Sequence, residues 1–445
     1  MKNKEQISSK LAMLPIEELS LASGFQKNSQ VQLTGTNFIL SFFSMLRKGK
    51  NSLNDWSTDL SIESKRVFSR SSIQAKMKDQ TVDFVKSILE KILPRQFSQD
   101  QIKGISSPLF SMFNRIFVED STCLKLPSNL AKALPGSYSS RGEVATGRIQ
   151  FRTELKSGSA AHFDIQSYRD NDQKYAKRIL DILQEGDLII RDLGYFVLSV
   201  FRLVNWMNAF FLTRFRYAVV IWEPDSEQKI DLLDMLAKAD KQRQVVIDKP
   251  VLLGKKEKLP VRLVAIKLPQ EIAQRRRRKH VKNRNKRANQ TKEYVQFLGW
   301  IIFVTNVSKE VWTPKQILHV YGLRWRIEMI FKAWKTKLKL KCLFVNKTRL
   351  SLQRVYISLI LFFIWVLLAF IPCYHWAQNI IFEKFQKFLS LLKFADFFNE
   401  HFDILSKPDI DQFVVELISK SCTYDNRKDI SNFHQNLYML NFIEH

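Results

Sequence analysis

The chain has 445 residues, and its 70 Lys and Arg against 43 Asp and Glu give a formal net charge of +27. That length holds about two to four domains with a substantial core, and so large a cationic excess points to a polyanionic partner, nucleic acid before anionic membrane. Cys123, Cys342, Cys373 and Cys422 lack CxxC spacing, which argues against a zinc site and a disulfide framework and suits a reducing cytoplasm.

The N-terminus, MKNKEQISSKLAMLPIEEL, has no long apolar core and does not read as a signal peptide. Residues 1–114 read as a helical domain, with apolar residues at threes and fours in FILSFFSML and VDFVKSILEKIL. Segments 51–60 and 69–77 read as short helices with Ser or Asn caps. Two short helices about a turn, with a basic, Ser- and Gln-bearing helix, fit a helix-turn-helix reader of DNA as well as an ordinary helical domain; DNA binding is the expectation.

A β-branched, apolar strand follows at 115–126, with a polar break at Asp120-Ser121-Thr122. An Asp inside a buried strand costs several kcal/mol unless it is paired, hydrogen-bonded or bound to metal; a bulge or a strand-end cap is the plainer account. Strands are predicted at 146–157, 161–168 and 187–192, with a helix at 173–184. Three strands, a helix and a strand is the order of a ribonuclease-H-like fold, where the first and fourth strands each bring an acid to one edge. The last of these strands, DLIIRDLGYF, is a buried run ending in Asp192, and Gly194 lets the chain turn at once into a helix. Strand C-terminal ends are where α/β sheets place their chemistry, although an N-cap is an equally simple role for Asp192.

A helix is predicted through Thr213, then strands at 217–222, 244–248, 250–253 and 261–268, a β-rich insertion spanning 216–298. Within it Arg275 to Arg287 carries nine Lys or Arg and no acid. Such a run reads structurally as a solvated helix or loop, and functionally as a phosphate binder through counterion release; Arg275, Arg276, Arg277, Arg278 and Lys279 are its candidates. A strand at 299–307 has Trp300 at its entry, and the simplest place for that ring is in a buried sheet.

One long helix is predicted from Thr313 to Leu338, with Thr313 as N-cap and Pro314 at the first helical position. Tyr321, Arg324, Glu328 and Lys335, spaced three, four and seven apart, fall within roughly 60° at about 100° per residue. Val320, Leu323, Ile327, Ile330, Phe331 and Trp334 take the neighbouring arc. On pattern alone the polar stripe is a solvated face. Residues 355–374 carry no charge and are long enough to cross a bilayer; a buried helix behind the sheet is the expectation. The tail, 378–445, reads as helical and amphipathic, a candidate dimer surface. Two aspartates and a glutamate with no His or Cys cluster make a hard oxygen site suited to Mg²⁺ or Mn²⁺.

The spacing Tyr321-xx-Arg324-xxx-Glu328-xxxxxx-Lys335, set in WRIEMIFKAWK, resembles the Tyr-Arg-Glu-Lys motif of IS-four-type transposases, DDE enzymes of bacterial insertion sequences. Asp120-Ser-Thr and DLGYF resemble the first and second Asp motifs of that family, in the right order. The resemblance implies an α/β protein with a ribonuclease-H-like catalytic core in two parts, 115–215 and 299–377, interrupted by the insertion at 216–298. It implies an N-terminal helical domain, 1–114, that binds the terminal repeats, and a helical C-terminal region, 378–445. Asp120, Asp192 and Glu328 would hold two Mg²⁺ or Mn²⁺ ions about 4 Å apart, while Tyr321, Arg324 and Lys335 grip the DNA backbone and Trp300 stacks on a flipped base. Partners would be double-stranded DNA, as terminal inverted repeats and target, and a second copy of the chain in a synaptic homodimer, with a hairpin intermediate left open. The setting would be the bacterial cytoplasm, at the nucleoid, without a membrane. Two other readings stand beside it. One is a structure-specific nuclease using the same acids without strand transfer, and the other is a basic binding protein anchored by 355–374.

Overall fold

The computed structural model describes residues 11–28, 32–96, 108–137, 142, 144–226, 228–283, 292–345, 347–407 and 410–424. Arg284, Lys286 and Arg287 of the basic run, and the tail beyond residue 424, lie outside them. The described residues form two compact units. Unit 1 takes those of Met1–Ile105, Asp120–Asp170 and Trp325–Gln435, and unit 2 those of Ser106–Glu119 and Asn171–Arg324.

The strands are β1 (Ile116–Leu126), β2 (Ala145–Glu154), β3 (Ala160–Ser167), β4 (Leu188–Arg191), β5 (Phe210–Arg214), β6 (Ile221–Trp222), β7 (Lys229–Ile230), β8 (Val246–Leu253), β9 (Leu259–Lys267) and β10 (Trp300–Thr305). In unit 2 the order is β1-β4-β5-β10-β9-β8-β6-β7, with β1, β4 and β5 parallel and each later pair antiparallel. Parallel strands are covered on both faces and so read as unbroken apolar runs; in β4, Leu188, Ile189 and Ile190 are each at most 1% exposed. Before β4 the chain turns at Gly186 with φ +76°, where a Cβ would lie 2.6 Å from Asn114 Nδ2. The helix Leu198–Trp206 buries Val200, Phe201 and Val204, and Phe201 stacks on Phe211 of β5 at 4.4 Å.

Unit 1 has the order β3-β2-β1, with β2 and β3 antiparallel and bulged at Arg152/Thr153. Its core is a 34-residue helix, Leu352–Phe385, interrupted by a π-turn at Val366–Phe370. Among the described residues this is the one helix long and apolar enough to cross a membrane, and 83% of its most apolar window is buried inside the protein. Phe363 stacks on Phe163 of β3 at 4.1 Å, and Trp365 meets Phe43 at 5.1 Å and Phe402 at 5.0 Å. A helix covered on every side has no polar face to keep, which accounts for the uncharged run.

Several sequence expectations hold. Ser52 and Ser69 cap the helices Leu53–Ser64 and Arg70–Gln74, and Thr313 forms a capping box with Gln316 at the helix Pro314–Gly322. Others need correction. β1 runs unbroken through Asp120, Ser121 and Thr122. The helix expected through Thr213 stops at Trp206, because Asn208 takes a left-handed φ of +53° and turns the chain into β5. The strands expected either side of Lys249 are one strand, β8. Pro250 is tolerated there because β6 pairs with β8 only at Leu252 and Leu253. The helix expected at 173–184 is one α-turn, Asp172–Tyr175, followed by the 3-10 stretch Ala176–Asp181. The long helix expected from Thr313 to Leu338 is two, Pro314–Gly322 and Trp325–Thr336. Gly322, the weakest helix former of the segment after the first-turn Pro314, ends the first, and Leu323 and Arg324 continue with short i to i−3 bonds.

Candidate active site

In unit 1, Asp120 and Glu328 open into one cleft of about 390 Å³, with Ser121, Lys332, Lys335 and Lys341 on its walls. The helix Trp325–Thr336 presents Glu328 because its other face is anchored. Ile327, Phe331, Ala333 and Trp334 are buried, and the Trp334 ring lies 4.8 Å from Phe151 of β2 and 5.6 Å from Phe363. At about 100° per residue Glu328, Lys332 and Lys335 share an arc of about 60° on the open side. Asp120 comes from β1, half-buried, and its Oδ1 accepts from the Ser121 N–H at 2.7 Å. Burial holds the Lys335 ammonium below the ordinary lysine range, with Cys123 opposing and Lys341 adding to the shift. The cleft thus sets two carboxylates beside three amines, a surface that can take a cation and a phosphate together.

In unit 2, Asp192 follows β4, and its Oδ1 accepts from Arg214 Nη2 at 2.9 Å and from the Tyr321 hydroxyl at 3.2 Å. Tyr321 is buried, 8% exposed, with its ring 5.1 Å from Phe303 of β10. The guanidiniums of Arg324 and Arg214 lie 5.8 and 6.0 Å from the centre of that ring, within reach of its π face. Burial pushes the Asp192 carboxyl up, but Arg214 and Arg324 outweigh it and hold the group below the usual carboxylate range. Burial pushes the Tyr321 phenol up to about 12, against the opposing pull of Arg214 and Arg324. A folded-state value raised above 10.0 gives stability that is fully present below pH 10 and is lost as pH climbs through about 12. Tyr321→Phe is expected to lose about 1 kcal/mol with its hydrogen bond. In urea melts run from pH 9 to 12, the gap between wild type and variant should close and then reverse over the top two pH units, since the raised phenol loses up to about 2.7 kcal/mol of relative stability across that window; a constant gap would refute the assignment.

The sequence-selected residues therefore gather in two places. Asp120, Glu328 and Lys335 share the unit 1 cleft, and Asp192, Tyr321 and Arg324 cluster in unit 2. Trp300 is only 1% exposed, which in this conformation leaves no ring face open to a base, and its carbonyl accepts from Arg276 Nη1 at 2.8 Å. Arg275, Arg278 and Lys279 are exposed, while Arg276 and Arg277 are half-buried. Burial, with repulsion from Arg214, holds Arg276 below the usual arginine value.

Three residues escaped the sequence reading. Arg214 ends β5, beside β4, as Asp192 follows β4. Lys332 is one helical turn after Glu328, a spacing that was there to read. Lys341 sits on the 3-10 turn Leu340–Leu343, where no periodicity announces it.

The oxygen donors of Asp120 and Glu328 suit a hard cation in kind. Among the described residues no group of three or more His, Cys, Asp or Glu side chains stands close enough to hold a metal ion.

The model of a family described as a transposase DDE domain matches residues 111–363, more than half of the chain. The transposase for insertion sequence element IS231B of Bacillus thuringiensis subsp. berliner is 28% identical over 337 residues, covering 72% of this chain and 70% of that protein. The transposase for element IS231D of Bacillus thuringiensis subsp. finitimus is 28% identical over 338 residues, with the same coverage, 72% and 70%. The transposase for element IS1151 of Clostridium perfringens is 29% identical over 279 residues, covering 58% of each. Because the match to the family model spans more than half of the chain, this chain belongs to the DDE transposase family.

Proposed function

We propose that this transposase moves a bacterial insertion sequence by cut-and-paste, cleaving the element's ends and joining them to target DNA, and that it is of the IS-four type. The observation that carries the reading is the meeting of Asp120 and Glu328, far apart in the chain, in one lysine-walled cleft. The parallel pairing of β1 with β4 supports a ribonuclease-H-like core, since Asp120 and Asp192 each directly follow a member of the register pair Glu119 and Arg191.

Divalent metal use comes with the family, and in this reading Asp120, Asp192 and Glu328 are the acids that would serve Mg²⁺ or Mn²⁺, two ions. When bound, such ions activate the attacking oxygen and stabilise the leaving oxygen of an in-line displacement at a phosphodiester. The chain's own groups do the positioning. Lys335, with Lys332 and Lys341, draws the phosphate into the cleft through charge-assisted hydrogen bonds. Arg324 holds the DNA backbone beside Asp192, with Tyr321 in support, since the buried phenol stays protonated and donates to the Asp192 carboxylate. Fixing the scissile bond in this way supplies the orientation that in-line attack requires. The N-terminal helices read the terminal inverted repeats, two copies synapse the ends, and the protein works in the bacterial cytoplasm at the nucleoid.

The test is incubation of the chain with DNA bearing the ends of its element, target DNA and Mg²⁺. Cleavage at the ends followed by joined product is expected. Cleavage with no joining would replace the reading with a nuclease, and no cleavage would overturn both.

A further inference from the structure

The helix Gln270–Asn283 holds most of the basic run, and its cations do not all face the same way. At about 100° per residue, Ala273, Arg276, Arg277 and His280 fall in one arc of about 100°. Arg275, Arg278, Lys279 and Lys282 fall in another, on the opposite side. Exposure follows the same division: Ala273 is buried and Arg276, Arg277 and His280 are half-buried, whereas Arg275, Arg278, Lys279 and Lys282 are exposed.

The inner face is pinned to unit 2. Arg276 Nη1 donates to the Trp300 carbonyl at 2.8 Å, Arg277 Nε donates to the Val295 carbonyl at 3.2 Å, and the His280 ring lies 4.8 Å from Tyr294. These bonds occupy the two guanidiniums in holding the helix against the start of β10 and the helix Lys292–Phe297. The outer face carries four cations and one acid, Glu271 in the first turn. From Arg275 to Lys282 the ridge runs about 10 Å at 1.5 Å per residue, the length of about three phosphates at 3.4 Å rise along one strand.

We infer that Arg275, Arg278, Lys279 and Lys282 form a ridge that docks on the phosphate backbone of duplex DNA, while Arg276 and Arg277 are structural pins without a DNA contact. The inference rests on the transposition reading and sharpens it, removing two of the run's cations from the DNA surface and adding Lys282. Charge complementarity selects the partner. A membrane-surface helix needs an apolar face to insert, and here the face opposite the cations is spent on unit 2.

The test measures affinity for duplex DNA in EDTA between 50 and 200 mM salt, so that binding is read without cleavage. Each of R275A, R278A, K279A and K282A should reduce the steepness of log K against log salt by up to about 0.9, and the quadruple variant by up to about four times that. Arg276→Ala and Arg277→Ala should leave the slope unchanged and lower the melting temperature. A quadruple variant that melts like wild type with an unaltered slope would overturn the ridge, as would pin variants that flatten the slope as much as ridge variants. Loss of binding to phosphatidylserine vesicles with no change on DNA would overturn it in favour of a membrane. End cleavage by the wild-type chain alongside an unaltered slope would remove the ridge and leave the transposition reading standing.

Discussion

Glu328→Gln is expected to abolish end cleavage while the protein keeps its fold and its grip on DNA. The substitution keeps the shape of the side chain and removes its charge. Glu328 shares its cleft with one other carboxylate, Asp120, and with Lys332, Lys335 and Lys341, so the loss leaves a single anion among three amines. A divalent cation then meets one charged ligand fewer and a more repulsive wall. Changing groups one step removed from a metal already costs about 10- to 100-fold in affinity or activity, so losing a direct carboxylate should cost at least about 100-fold. The helix Trp325–Thr336 is anchored by its opposite face, where Ile327, Phe331 and Trp334 are buried. Melting should therefore be unchanged, and DNA binding in EDTA should be equal or tighter, since a negative charge has left a phosphate-binding wall. Titration with Mn²⁺ by calorimetry, without DNA, should show weaker uptake. If Glu328→Gln cleaves at a rate close to wild type, the site has been misassigned.

Some of this site could be read from the residues and some could not, for reasons that differ from place to place. Asp192 was legible because a buried β-branched run has no tolerance for a stray carboxylate, and DLIIRDLG ends in one directly before a glycine turn. Glu328 was legible through spacing, although the segment is two helices in different units and of the four spaced residues only Lys335 shares its helix. Arg214 was hidden because apolar residues continue at helical spacing from Leu198 to Phe215. Only the left-handed turn at Asn208 separates the helix from β5, and no side-chain pattern announces it. The basic run looked uniform because charge says nothing about direction; Ala273 and His280 mark its inner face only once the helix is known to pack. For 355–374, hydropathy cannot separate a bilayer from a protein interior. In the structure Phe163, Phe43 and Phe402 pack against the helix, and 83% of its most apolar window is buried inside the protein.

Breaking the ion pair between Glu119 and Arg191 is expected to cost the most stability of any single change considered. Arg191 Nη2 lies 2.6 Å from Glu119 Oε2, and the two side chains are 1% and 2% exposed. They are register partners on the parallel strands β1 and β4, and Arg191 also donates to the Ala176 carbonyl at 2.9 Å and lies over the Tyr195 ring at 5.4 Å. Arg191→Met removes the guanidinium and leaves a carboxylate buried without it, a change worth about 3–5 kcal/mol against a total stability of about 5–15 kcal/mol. Urea unfolding should show the loss; a change under about 1 kcal/mol would mean that the strands relax around the charge. Replacing both partners, Glu119→Leu with Arg191→Met, should recover most of it, because a buried pair gains little over well-packed apolar groups. The remaining role of the pair is register. In β4, Leu188, Ile189 and Ile190 are close in volume and all buried, so packing alone discriminates weakly against a slipped pairing, whereas a slip would strand both charges. Asp192 follows Arg191 by one peptide bond within unit 2, so the register of the pair also sets where that carboxylate stands. The double variant should then fold with near wild-type stability yet cleave DNA more slowly, by more than about 10-fold on the scale of lost orientation. A double variant as stable and as active as wild type would show that the register of β1 and β4 is set elsewhere.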